Sequence, residues 1–306
     1  MASNPTPDNN SILRALADRL ADGCDQHEGA LGIVQNTEAR IRIDIGALDG
    51  AELQVGLKKA AVSDAYDALQ TADAAGVTCI GNCKLRLQQK LGQKWSAAWE
   101  PTGFPTGSLA VPDSQDERFT LINDLKLYFM AVPANESAEM EATAAACLAA
   151  WTALSDARQG VATAESAQTT AMNNRSTAEH ALRMRVRGLI NELEQLLGED
   201  DPRWEDFGLN IPGNPSAPEP VETVTLEAMT NHRIGVGWTY ATRAIRYRVE
   251  TMIVGVDTEW QNKGSFKDLE TTLKNFSAGQ VVKVRVIAGN DGGDAAPSPE
   301  GEVTVT

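Results

Sequence analysis

Apolar and polar residues alternate along this chain with two different periods, and the change of period divides it in two. Up to about residue 213 apolar positions return every three or four residues, as on a helix with one buried face. Beyond Val221 they return every second residue, as on a half-buried strand. In the first part Ile12, Leu16 and Leu20 share a face, and so do Phe119, Ile122 and Leu125. These sets predict short helices over Ser11–Cys24 and Glu117–Met130. Two longer helices are expected after each, ending at Gly92 and Gly198, where glycine follows the last apolar residue. Thr71 and Thr177, each with an acid two residues on, read as helix starts, and Asn173-Asn174 reads as a turn before the second.

The helical part matches itself at an offset of 106 residues. Leu87-Gln88-Gln89-Lys90-Leu91-Gly92 aligns with Leu193-Glu194-Gln195-Leu196-Leu197-Gly198, and Thr71–Ala75 aligns with Thr177–Ala181. One residue is then lost, and Trp99-Glu100-Pro101-Thr102-Gly103 meets Trp204-Glu205-Asp206-Phe207-Gly208. Both copies close on a Pro/Gly segment, Phe104–Gly107 and Ile211–Gly213. Arg40–Ile45 alternates like a strand, yet its counterpart around Cys147–Trp151 reads as helix, so both are read as helix. The expectation is a duplicated bundle over 11–213, two three-helix units at about 11–107 and 117–213, after a disordered tail over 1–10. The paired tryptophans most simply cap the bundle ends; a paired binding site from Trp99 and Trp204 is the sharper alternative.

The strand-period part holds Glu222–Leu226, Arg233–Trp238, Ala244–Glu250, Val281–Ala288 and Glu302–Val305, each with one apolar face. A proline-bearing entry (Pro215, Pro218, Pro220), a strand ending in Trp238 and one containing Tyr247-Arg248-Val249 come in an order that resembles the fibronectin type III family. Phe276-Ser277-Ala278-Gly279 stands where that family has Leu-x-Pro-Gly, and Val284–Asn290 where it has a strand ending Val-x-Ala-x-Asn. The resemblance implies a β-sandwich over 214–306, of a kind that usually serves as spacer or docking surface. Val282 takes the place of the family's corner tyrosine, which implies a corner held by packing alone. No Arg-Gly-Asp occurs.

Composition narrows the function classes. The net charge is −15; residues 215–306 hold nine Lys and Arg against twelve Asp and Glu, a net of −3, which leaves −12 for the rest. Without a basic stripe, nucleic acid and anionic membrane surfaces are poor partners. No apolar run is long enough to span a bilayer, and residues 1–10 lack a secretory leader, so the expected setting is cytoplasmic, exported without a leader, or virion-associated.

Candidate chemistry is thin. The histidines, His27, His180 and His232, are scattered, and no nucleophile motif or phosphate loop occurs. Glu199-Asp200-Asp201 with Glu205-Asp206 reads as a solvated linker, and Asp291 with Asp294 offers too few oxygens for calcium. Cys79 and Cys83 share a helix face, but with no histidine nearby the spacing is weak evidence for metal, and all four cysteines, with Cys24 and Cys147, read as free thiols. Trp260, near Asp257 and Glu259, is either a sugar platform or a tryptophan covering a strand edge. The expectation is therefore a protein with no catalytic site, cofactor or metal. Its helical platform self-assembles or anchors and displays the sandwich through an Asn210–Pro220 linker, as in a virion, appendage or cell-surface assembly. The alternative is an adhesin-like protein that binds a glycan or surface protein through the sandwich.

Overall fold

The structure, a computed structural model, describes residues 4–306. Helix α1 (Asn10–Leu31) starts where the Asn9 side chain accepts hydrogen bonds from the Ser11 and Ile12 amides, and it ends on Gly32 with φ 72°. Helix α2 runs over Glu38–Leu91 and a 3-10 turn over Ala97–Thr102. Helix α3 (Gln115–Ala131) is capped by Ser114, α4 covers Ala144–Leu196, and α5 is the single turn Arg203–Asp206. The succession of short helix, long helix and tryptophan-bearing turn thus occurs twice. No described helix is long and apolar enough to cross a membrane.

Each long segment is one helix and not two, which corrects the three-helix units. Thr71 and Thr177 lie inside α2 and α4, and so do Asn173 and Asn174. The reason is packing. From Ala51 through Val55, Lys58, Val62, Ala65 and Leu69 to Ala72, half-buried positions step by four and three without interruption, so a break would lose the seam. Thr71 also satisfies its hydroxyl locally, donating to the Asp67 carbonyl at 2.9 Å. The tail differs as well. Its first three residues lie outside the described ones, but from Asn4 it is tied down, with Asn4 Nδ2 donating to the Asn210 carbonyl at 3.0 Å.

Two compact units divide the chain differently from the expected 11–213 and 214–306. One joins the residues up to Gly50 with Arg175–Thr306; the other is Ala51–Asn174. The first unit has a helical core of Leu13, Leu20, Ile41, Leu189, Leu193, Trp204 and Phe207, and a separate strand core around Val236, Tyr247, Val249, Val284 and Val286. The second packs Ile80, Leu87, Trp99, Ile122, Phe129 and Leu154. Within it Tyr66 Oη on α2 donates to Glu165 on α4 at 2.7 Å.

The strands are β1 (Val224–Met229), β2 (Arg233–Trp238), β3 (Arg246–Ile253), β4 (Gln261–Phe266), β5 (Glu270–Leu273), β6 (Val281–Asn290), β7 (Gly293–Asp294) and β8 (Gly301–Thr304). They form two antiparallel sheets, one in the order β1-β2-β5, the other β4-β3-β6 with both β7 and β8 paired to β6. Every second residue of β6 from Val282 to Ala288 is buried between the sheets. Val282, in place of a corner tyrosine, is fully buried and pairs with Val303 and Ile253. The registers fix the two ends of this module. At one end lie the loops 239–245, 267–269 and 291–292; at the other lie 230–232, 254–260 and 274–280.

Candidate functional site

The first end of the strand module is bound to the helical core of its own unit. Asn290, the last residue of β6, is 2 % exposed. Its Nδ2 donates to Asn210 Oδ1 at 2.7 Å, the Ser216 carbonyl at 2.9 Å and the Arg243 carbonyl at 3.1 Å. Its Oδ1 accepts from the Gly292 amide at 2.8 Å. Asn210 extends the network, its amide donating to Asn4 Oδ1 at 2.8 Å. Arg243 reaches the Ala217 carbonyl at 3.3 Å and lies 3.7 Å from Glu205, which also accepts from Ser216 Oγ at 2.6 Å. Backbones meet so closely that a Cβ on Gly292 would stand 2.5 Å from the Pro215 carbonyl oxygen. A cleft of about 430 Å³ opens beside this network, lined by Pro5, Pro7, Ile12, Leu16, Tyr240 and Lys267 among others. Burial pushes the Tyr240 hydroxyl up to about 12, so it stays a neutral phenol there. The Asn210–Pro220 segment is therefore a fastened joint and not the displaying linker expected from its prolines.

The opposite end is open. After β3 the chain turns tightly: the Val256 and Asp257 amides both donate to the Ile253 carbonyl, and Asp257 Oδ2 accepts from the Ile253 amide at 2.8 Å. Gly255, at φ 78°, makes this turn possible without strain. The turn holds Val254 and Val256 out to solvent, 48 % and 68 % exposed. Trp260 follows, half-buried, with the Arg285 guanidinium carbon 4.3 Å from its ring centroid.

Arg285 belongs to a charged ladder on the outer face of the larger sheet. Glu250 on β3 faces Arg285 on β6 in register and accepts from its Nε at 2.8 Å. Arg248 donates to Glu250 Oε1 at 2.9 Å and to Asp294 Oδ2 at 2.6 Å. Burial alone would raise the Glu250 carboxyl, and it is the largest single influence; the hydrogen bonds from Arg285 and Arg248 together outweigh it and hold the group below its ordinary value. Asp294 is lowered chiefly by its hydrogen bond from Arg248.

A three-stranded sheet against a five-stranded one in which the short β7 and β8 both pair β6, with crossovers from β2 to β3, β4 to β5 and β5 to β6, and Trp238 and Tyr247 packed between the sheets, decide the class of this module. It has the fibronectin type III fold. Solved fibronectin type III structures are similar to it. The FN3tt mut structure has 19 % identity over 29 % of this chain and 97 % of its own, at a TM-score of 0.27. The FN5 domain of Drosophila Lar has 18 % identity over 29 % and 96 %, at 0.26. The FN1-FN3 domains of chicken CNTN1 have 18 % identity over 30 % of this chain and 33 % of theirs, at 0.28. No family model and no curated protein matches the chain.

The residues singled out from the sequence fall in different places. Trp99 and Trp204 are 0 % and 1 % exposed and belong to different cores. Each is spent within its own core: Trp204 Nε1 donates to the Gly198 carbonyl at 2.9 Å, closing the end of α4, and Trp99 packs edge-on against Phe104. Trp260 alone of the three reaches the surface. The acids between Glu199 and Asp206 do not converge. Asp201 is paired with Arg203, whose hydrogen bonds lower it to about 2, and Asp206 accepts from His27 at 2.8 Å. Asp294 is committed to Arg248. Cys24 is buried with its thiol donating to the Asn36 carbonyl at 3.5 Å, and it is pushed up to about 12, first by burial and then by Glu28. Cys79 and Cys83 are joined by Cys147, with sulfur–sulfur distances to it of 3.8 and 3.5 Å. That third thiol comes from the first turn of α4, so spacing on α2 gave no hint of it. The exposed valines beside Gly255 were also missed; two valines around a glycine between strands were the available signal.

Proposed function

We propose that this chain is a non-catalytic structural and interaction protein, a helical platform that carries a fibronectin type III module for docking to a protein partner or to further copies of itself. The observation that carries the reading is the unequal use of the module's two ends. The loops around Asn290 are consumed by contacts with Asn210, Asn4 and Glu205, which makes the module a rigid extension of its unit. The opposite end presents Val254, Val256 and Trp260, and Trp260 lies against Arg285, the near end of a charged ladder that runs back along the sheet through Glu250 to Arg248, apolar and charged groups of the kind interfaces use. One face of Trp260 is taken by Arg285, which favours a protein surface over a stacked sugar. The two successions of short helix, long helix and tryptophan turn fit a duplicated platform.

Light scattering over rising concentration tests the assembly half. Species above the single-chain 32.8 kDa are expected, and they shrink when Val256→Asp and Trp260→Ala are combined. A chain that stays at 32.8 kDa at every concentration removes self-assembly from the proposal. Robust turnover on a broad hydrolase substrate panel removes the non-catalytic half.

A further inference from the structure

We infer that Cys79, Cys83 and Cys147 form a binding site for a divalent thiophilic cation of the zinc class, a property independent of the docking role. The three sulfurs lie within 4.8 Å of one another, and all three residues are buried. In tetrahedral or trigonal coordination, metal–sulfur bonds of about 2.3 Å put neighbouring sulfurs about 3.8 to 4.0 Å apart. The distances to Cys147, 3.8 and 3.5 Å, already approach that spacing. Cys79 and Cys83 sit one turn apart on α2, and Cys147 on α4 reaches the same point, so the ligands are set on regular elements.

Packing alone does not call for thiols here. On the 106-residue offset read from the sequence, Cys83 corresponds to Leu189 and Cys147 to Ile41. Both of those are fully buried in the other helical core. Those two core positions are filled there by ordinary aliphatic side chains, whereas in the second unit sulfur takes both, and Cys79, whose counterpart at the same offset is Arg185, brings a third. The choice of ion follows from charge. Three thiolates around a divalent cation leave one net negative charge, and around a monovalent one they leave two, which costs more in an apolar core. Soft sulfur ligands select zinc-class ions over magnesium or calcium. Among the described residues no histidine, carboxylate or fourth cysteine joins the group, so the fourth position is open to a small exogenous ligand. On binding, three S–H protons pass to solvent as three metal–sulfur bonds form. Cys79, the most accessible of the three at 8 %, marks the way in.

The test uses the full chain, reduced and stripped with a chelator, then titrated with Cd(II) as a spectroscopic probe and with Zn(II) in competition. One Cd(II) per chain is expected, with a thiolate-to-metal charge-transfer band that Zn(II) abolishes and a rise in the thermal midpoint. The double variant Cys83→Leu with Cys147→Ile copies the aliphatic pair of the other core, so it should fold while losing the band and the rise. Cys24→Ala keeps both. A reduced wild-type chain that takes up no Cd(II), or a double variant that binds it as tightly as wild type, overturns the site. So does a disulfide from Cys147 as the sole chemistry of these thiols.

Discussion

At the scale of single residues, Asn290 and Glu250 organise the fibronectin type III module from its two sides. Asn290 gives one amide group to three acceptors, and removing it takes this donor from the buried Asn210 Oδ1 and from the Ser216 and Arg243 carbonyls. Asn290→Ala should therefore cost about 1–3 kcal/mol in chemical denaturation, because unsatisfied buried groups are penalised. A change within a few tenths of a kcal/mol would mean water replaces the amide. Glu250 makes a pH prediction. Its carboxyl is held below the ordinary value of 4.5, so its contribution is complete above that value and is lost as pH falls through the lower folded value. Stability should be flat near neutrality and decline in acid, and Glu250→Gln should flatten the acid decline measured by thermal melts across pH. An unchanged slope in the variant would place the acid sensitivity elsewhere. Asn290 was legible in the sequence as the end of a Val-x-Ala-x-Asn strand. Its partner Asn210 was not, because a residue between helix and prolines reads as linker until the fold brings the two together.

At the scale of elements, the sequence revealed where helices stop better than where they continue. Gly92 ends α2 with positive φ, as a glycine after an apolar run should, and α4 stops at Leu196 just before Gly198, whereas α1 runs past the expected Cys24 to Leu31 and stops on Gly32. Thr71, Thr177 and Asn173-Asn174 looked like breaks because threonine and asparagine favour caps and turns in isolation. The uninterrupted seam from Ala51 to Ala72 overrides that preference. Among strands, β2 and β6 were visible through their alternation, whereas β4 and β5 were not. β4 reads Gln-Asn-Lys-Gly-Ser-Phe, an edge strand that is mostly exposed and so carries no apolar period. The two readings of Thr71 can be separated. If a helix began there, Thr71→Pro would be tolerated, since proline suits the first turn. In a continuous α2 it should cost about 3 kcal/mol or more, with loss of helical circular dichroism around the seam. Thr177→Pro should do the same to α4.

At the scale of the whole molecule, the useful boundary is not where the period changes. The sequence places a cut near residue 213, between helix and strand; the contacts instead put the fibronectin type III module in one compact unit with α1 and the chain from Arg175 onward. The reason lies in the contacts made just before residue 213, which reach α1 on one side and the module on the other. Phe207 sits against Gly23 so closely that a Cβ on the glycine would stand 2.4 Å from its ring, and Gly208 lies over Arg19 and beside Thr242 of the module. Asn4, Asn210 and Asn290 then link the first described residue, the joint and β6. A fragment ending at Gly213 keeps every helix but loses Asn290, Thr242 and Arg243 from this arrangement. Its α1 and α5 should become less protected in hydrogen exchange, and its thermal midpoint should fall below that of the helical transition in the intact chain. Protection in 51–174 should change less, because those residues form their own core. If α1 exchanges equally slowly with and without residues 214–306, the module is an independent bead after all. The unequal use of its two ends would then say nothing about docking.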